Sequence, residues 1–91
     1  MNSNYIHPIR EHLSEIYPDI LLMTDLDEAI IGVSQRLNEP VLAVYDWEKI
    51  IHILMQRDDM DLDEAVEYTE FNIIGAWIGE NTPIVVMPLD W

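Results

Sequence analysis

The sequence predicts an α+β domain in the order α-β-β-α-α-β, with a small, largely antiparallel sheet (a hairpin plus a C-terminal strand) and helices on one face. Three observations carry this reading. Apolar residues switch between helical spacing and short β-branched runs, and turn residues sit between those runs. A chain of 91 residues with 49% hydrophobic content also suffices for one core and is too short for two. Residues 1–91 are therefore read as a single domain, with an N-terminal helix and loop over 1–26 and an α+β core over 27–88.

The first expected helix covers residues 8–16. Pro8 suits the first turn, where its missing N–H costs nothing. Ile9, Leu13 and Ile16 recur at helical spacing, with Arg10, Glu11, Ser14 and Glu15 between them. Tyr17-Pro18 ends the helix, because a residue before proline is pushed out of the helical region. Ile20 to Met23 reads equally as a strand or a helical turn, and Asp25-Leu26-Asp27-Glu28 as an acidic loop. Residues 29–36 make the first strand and 41–45 the second, joined through Leu37-Asn38-Glu39-Pro40 as an antiparallel hairpin. Gly32 marks a bulge or a close backbone approach.

Asp46 has the chemistry of an N-cap. Trp47, Ile50, Ile51 and Leu54 follow at the spacing of one buried helical face, which fades by Arg57. Asp61 opens a further helix, with Glu64 three places on completing a capping box. Leu62, Ala65, Val66, Thr69 and Ile73 form its inner stripe, widened by Tyr68 and Phe71, and Gly75 is a natural stop. Ile84-Val85-Val86-Met87, bracketed by Pro83 and Pro88, is a strand expected at a sheet edge.

Composition excludes several function classes. Without cysteine there are no disulfides and no thiolate-held zinc. No apolar run approaches the roughly 20 residues of a membrane span, and Met1-Asn2-Ser3-Asn4-Tyr5 lacks the basic and apolar character of an export signal. A cytoplasmic location is expected. Four Lys plus Arg stand against 18 Asp plus Glu, a formal net charge of -14. Free nucleic acid and anionic membrane would be repelled, and a basic partner attracted.

Catalytic and metal signals are weak. Asp59, Asp61, Asp63, Val66 and Glu70 match positions of a calcium-binding EF-hand loop, but the sixth place holds Glu64 instead of the glycine the sharp turn needs. Helix capping and a solvated acidic face account for the same residues. His7, His12 and His52 lack the spacing that puts two ligands on one helical face. There is no nucleophile motif and no glycine-rich phosphate loop. Neither an enzyme nor a cofactor is expected. The acidic tract is stronger: Asp58, Asp59, Asp61, Asp63, Glu64, Glu67 and Glu70 place seven carboxylates in 13 residues with no cation among them. Like charges three and four apart on a helix repel, so such a tract either serves a partner or is simply a solvated face. Gly75-Ala76-Trp77-Ile78-Gly79 reads either as a helix end and tight connection with Trp77 closing the core or as a self-association surface.

The segments Ala29-Ile30-Ile31-Gly32, Tyr45-Asp46, Ile53-Leu54-Met55, Arg57-Asp58, Glu64-Ala65, Phe71-Asn72, Gly75-Ala76-Trp77, Gly79-Glu80 and Thr82-Pro83 give the run from Asp27 to Met87 a recognisable pattern. It resembles a family of small uncharacterised proteins of phage and prophage genomes. Where those proteins often carry Asp-Gly-Met, this chain has Asp58-Asp59-Met60, and its first 26 residues fall outside the likeness. The resemblance brings no catalytic residues. It implies a host-cell setting in which small acidic proteins block host defence, some as nucleic-acid mimics. The expected function is accordingly inhibition of a basic, nucleic-acid-handling host complex such as a CRISPR effector, through the seven carboxylates and Trp77. A structural or regulatory homodimer using its hydrophobic surface is the alternative.

Overall fold

The computed structural model describes residues 8–89. Residues 1–7, including His7 and the segment read for export signals, lie outside it, as do residues 90 and 91. Helix α1 spans Pro8–Ile16, a 3-10 turn spans Asp27–Ala29, and strands β1 (Ile30–Ser34) and β2 (Leu42–Asp46) form the hairpin. Helices α2 (Trp47–Arg57) and α3 (Leu62–Thr69) follow, then a π turn over Glu70–Ile74 and strand β3 (Ile84–Val86). The fold is a small α+β arrangement with a three-stranded sheet in the order β1-β2-β3.

Local chemistry sets most of the boundaries. The Asp46 side chain accepts a hydrogen bond from the Lys49 amide at 3.0 Å, starting α2 as its N-cap position predicts. The hairpin turn closes through the Glu39 amide on the Arg36 carbonyl at 3.0 Å, with Asn38 at φ 63°, a conformation Asn tolerates better than most side chains. The ladder shifts between Ile30 and Gly32, so Gly32 marks a bulge. Its missing Cβ would meet open space, which rules out the close-approach alternative.

The sheet is mixed, which corrects the largely antiparallel expectation. Strand β1 pairs antiparallel with β2, but β2 pairs parallel with β3 through Val44–Ile84, Tyr45–Val85 and Asp46–Val86. A parallel neighbour needs a crossover of a dozen or more residues. The α2–α3 stretch supplies it, and the element order alone does not reveal the direction in which the chain re-enters the sheet. Strand β3 does lie at an edge, between its two prolines.

Ala43, Tyr45, Ile50, Ile51, Leu54 and Ala65 form the core between β2 and the two helices, with Leu26 and Ala29 completing it from the N-terminal side. The acidic loop expected over residues 25–28 is therefore more than solvated chain, since Leu26 is buried within it. Residues 20–23 are neither strand nor helix. Ile20, Leu22 and Met23 instead pack against the core as irregular chain.

That irregular segment is fixed by a polar node at Met23. The Met23 amide donates to the Tyr45 hydroxyl at 2.7 Å, and the Met23 carbonyl accepts from the Arg10 guanidinium at 2.6 Å. Arg10 also forks onto both oxygens of Asp27 at 2.7 and 2.8 Å, tying α1 to the 3-10 turn. A fully buried tyrosine with a satisfied hydroxyl is stabilising only while the ring stays neutral. Burial pushes the Tyr45 phenol up from its ordinary value, the Met23 hydrogen bond opposes this, and Asp27 reinforces it. Its folded pKa thus exceeds the unfolded value of about 10, so its contribution is intact below that pH and is lost as pH rises through the folded value. Thermal melts should therefore show a loss of stability above about pH 10 that Tyr45→Phe reduces. The same substitution, by orphaning the Met23 amide, should cost about 1–3 kcal/mol at neutral pH.

Candidate functional site

The acidic tract begins at the turn between α2 and α3. Arg57 forks onto Asp58 at 3.0 and 3.1 Å and also donates to the Asp25 carbonyl, pinning this turn to the N-terminal segment. The guanidinium holds the Asp58 carboxyl below the usual carboxylate range. Asp59 adopts φ 56°, the left-handed region open to glycine and, among other residues, chiefly to Asn and Asp. Asp61 then caps α3. Its carboxylate accepts from the Glu64 amide at 2.8 Å, while its own amide donates to the Glu64 carboxylate at 2.9 Å. Four of the seven sequence-predicted carboxylates, Asp58, Asp59, Asp61 and Glu64, therefore take part in building the turn and the helix start.

The other three are differently placed. Asp63, Glu67 and Glu70 are exposed and recur at i, i+4 and i+7, opposite the buried Ala65 and Thr69. One helical turn advances about 5.4 Å, so they set negative charge at regular intervals along the outer face. The seven carboxylates are thus contiguous in the chain, and these three share one face.

The apolar residues of this region depart from expectation. Ala65 and Thr69 are buried and Val66 and Ile73 partly so, as the inner stripe predicts, but Leu62 overhangs the first turn in solvent. Tyr68 is exposed, and Phe71 is 75% exposed, so neither widens the core. The helical wheel explains Phe71: four residues on from Glu67, it falls on the outer, acidic side. Trp77 is 76% exposed, which overturns its reading as a residue closing the core.

Gly75 ends the helical run as predicted. A Cβ there would lie 3.1 Å from the Glu70 and Phe71 carbonyl oxygens, a tight contact that the backbone would relieve by shifting a few tenths of an ångström. Gly79 holds φ 113°, strained for any L side chain. Thr82 fixes the loop between them, its hydroxyl donating to the Gly79 carbonyl at 2.6 Å and accepting from the Ile78 amide at 2.9 Å.

Two concavities flank Tyr68 and Asn72. The first, about 240 Å³, is walled by Met23, Leu26, Leu54, Ile73, Ile78 and Pro83, with Arg57 at its margin. The second, about 380 Å³, is lined by Met60, Glu64, Glu67, Phe71 and the same Tyr68 and Asn72. These walls come from three stretches distant in sequence, and no linear motif announces them. The one available signal was an excess of large apolar residues, Phe71, Trp77 and Ile78, beyond what the core absorbs.

Among the described residues no three His, Asp or Glu side chains converge as ligands. The stretch matched to a calcium loop is already helix from Leu62 onward, with Asp61 and Glu64 committed to the cap. His52 is exposed on α2, beside a shallow depression lined by Glu28, Asp46 and Glu48. Among the described residues no helix is long and apolar enough to cross a membrane. In comparisons with protein-family models, curated proteins and solved structures, nothing matches the chain.

These assignments separate carboxylates that build the helix from those that only decorate it. Asp61→Ala should lower stability by about 1 kcal/mol through the lost cap, whereas Glu67→Gln should raise it by about 0.2–0.5 kcal/mol by relieving repulsion with Asp63 and Glu64. Trp77→Ala should change stability by no more than about 0.5 kcal/mol, as an exposed side chain does. Urea unfolding of the three variants against the parent chain checks all three values.

Proposed function

We propose that this protein is an acidic, phage-type binding protein that occupies a basic surface of a host nucleic-acid-handling defence complex, such as a CRISPR effector, by nucleic-acid mimicry. The observation that carries the reading is the outer face of α3 and of the π turn that continues it, where Asp63, Glu67 and Glu70 repeat along one stripe with no cation among them. Asp58, Asp59, Asp61 and Glu64 extend the negative field at the start of the same helix while holding its geometry. Arg57, the cation that immediately precedes the tract in sequence, is already engaged by Asp58 and the Asp25 carbonyl. With a net charge of -14, the long-range field favours a strongly basic partner and accelerates its approach. Trp77, in the loop after the π turn, offers a large exposed apolar ring of the kind that anchors interfaces.

A homodimer is the second reading, and a specific feature favours it. Leu42, Val44, Ile84 and Val86 alternate onto the face of the sheet opposite the core, joined by Ile31 at the bulge. An apolar sheet face of this kind commonly meets a partner. Two copies carrying -14 each repel one another, however, so self-association through it should strengthen with added salt, opposite to the behaviour of a basic partner.

Pull-down from a bacterial lysate, followed by titration of the captured partner, tests the choice. Mimicry predicts that affinity falls about tenfold or more between roughly 50 and 500 mM salt, that nucleic acid competes, and that charge reversal of Asp63, Glu67 and Glu70 weakens capture. An affinity that barely changes with salt rules mimicry out. Light scattering that shows a dimer strengthened by salt, with charge-reversed variants still fully functional, supports the homodimer instead.

A further inference from the structure

The two concavities beside α3 differ in character but share a wall, and together they specify more than negative charge. The first is apolar and reaches Leu26 and Leu54, both members of the core. An apolar cavity of about 150 Å³ takes a benzene ring, so one of about 240 Å³ admits a leucine, methionine or phenylalanine side chain. Its walls are preset: Met23 is clasped by Tyr45 and Arg10, and Ile78 is held by Thr82. The second concavity pairs the Glu64 and Glu67 carboxylates with the rings of Tyr68 and Phe71. Carboxylates and aromatic faces together suit a Lys or Arg head group.

We propose that these adjoining concavities form a docking surface for a basic amphipathic protein segment, with an apolar side chain seated against Met23, Leu26 and Ile78 and a Lys or Arg beside Glu64, Glu67, Tyr68 and Phe71. The proposal rests on the reading of a basic partner and narrows it from a charged surface to a segment with a specific alternation of chemistry. Charge complementarity selects this occupant. Among the described residues Arg57 is the one cation lining either concavity, and its guanidinium is already engaged by Asp58, so the described lining favours a basic over an acidic ligand. A second copy of the chain brings the wrong net charge. An exposed carboxylate–cation contact is weak alone, and an apolar anchor supplies the part of the affinity that salt does not screen.

The probe is a synthetic peptide of about 14 residues with Leu and Lys at amphipathic helical spacing, near the shortest length that holds a helix. A Lys–Ser peptide of equal charge serves as the control. Both are titrated into the full isotope-labelled chain while amide resonances are followed. The expected result is saturable one-to-one binding of the Leu–Lys peptide, at least about tenfold tighter than the control, with shifts centred on Met23, Tyr68, Phe71 and Ile78. Phe71→Ser and Ile78→Asp should each weaken it about tenfold, whereas Leu37→Ser, on the distant hairpin turn, should not. Amide spectra of the variants confirm that they remain folded. Equal affinity for the two peptides overturns the amphipathic docking surface and leaves the purely electrostatic reading standing. Shifts centred on Ile31, Val44 and Ile84 move the docking surface to the outer sheet face and also overturn it. No binding of either peptide at low salt overturns both readings.

Discussion

The Met23 peptide group is the point from which the arrangement hangs. A strand, a helix and a 3-10 turn meet there through Tyr45, Arg10 and Asp27, and none of these links is repeated elsewhere in the irregular segment. Residues 20–23 have no ladder of their own: the Ile20 amide donates to the Tyr17 carbonyl, while the Met23 amide and carbonyl are met by side chains. Tyr45 can supply one because it lies on β2 with its ring in the core and its oxygen reaching the far side. Once the segment is fixed, Leu26 is delivered into the core and Met23 to the rim of the apolar concavity. A change to the node is thus felt at the core and at the candidate surface together.

Charge places the second constraint. The described residues contain two ion pairs, Arg10–Asp27, which ties α1 to the 3-10 turn, and Arg57–Asp58, whose arginine also reaches the Asp25 carbonyl. Most carboxylates are left to solvent and repel one another, yet the chain keeps Asp63 and Glu67 on the outside of α3 and Glu70 in line with them at the start of the π turn. The capping box offsets part of that cost locally. The acidic face and the fold are consequently coupled: Asp61 and Glu64 cannot be neutralised without loosening the start of α3, while Glu67 and Glu70 can. That difference separates residues that shape the surface from residues that use it.

Much of this was legible in the residues. The helix at Pro8–Ile16, the Asp46 cap, the Asp61–Glu64 capping box, the bulge at Gly32 and the stop at Gly75 rest on local rules, and local rules are printed in the sequence. The parallel pairing of β3 was not legible, since strand direction depends on how a long crossover returns. Phe71 was assigned inward by hydrophobicity, although its place on the wheel puts it among the carboxylates. The sequence leaves Trp77 open between closing the core and a self-association surface; a small core already filled by Tyr45, Ile50 and Leu54 has no place for it, and it stands exposed. The concavities escaped for a different reason, because Met23, Tyr68 and Ile78 become neighbours only once the Met23 node and the Thr82 loop have formed. The seven carboxylates were legible as a tract and Asp61 and Glu64 as its capping pair, but the turn-building places of Asp58 and Asp59 depend on the Arg57 contact and a left-handed backbone that no local rule prints.

The central claim is that the outer side of α3 and the loop after it receive a basic partner, while the uncovered side of the sheet does not. Hydrogen exchange on the full chain, free and in complex with the protein it captures, measures this most directly. Slower exchange confined to residues 62–82 agrees with the account. Slower exchange confined to β1 and β3, with α3 unchanged, contradicts it.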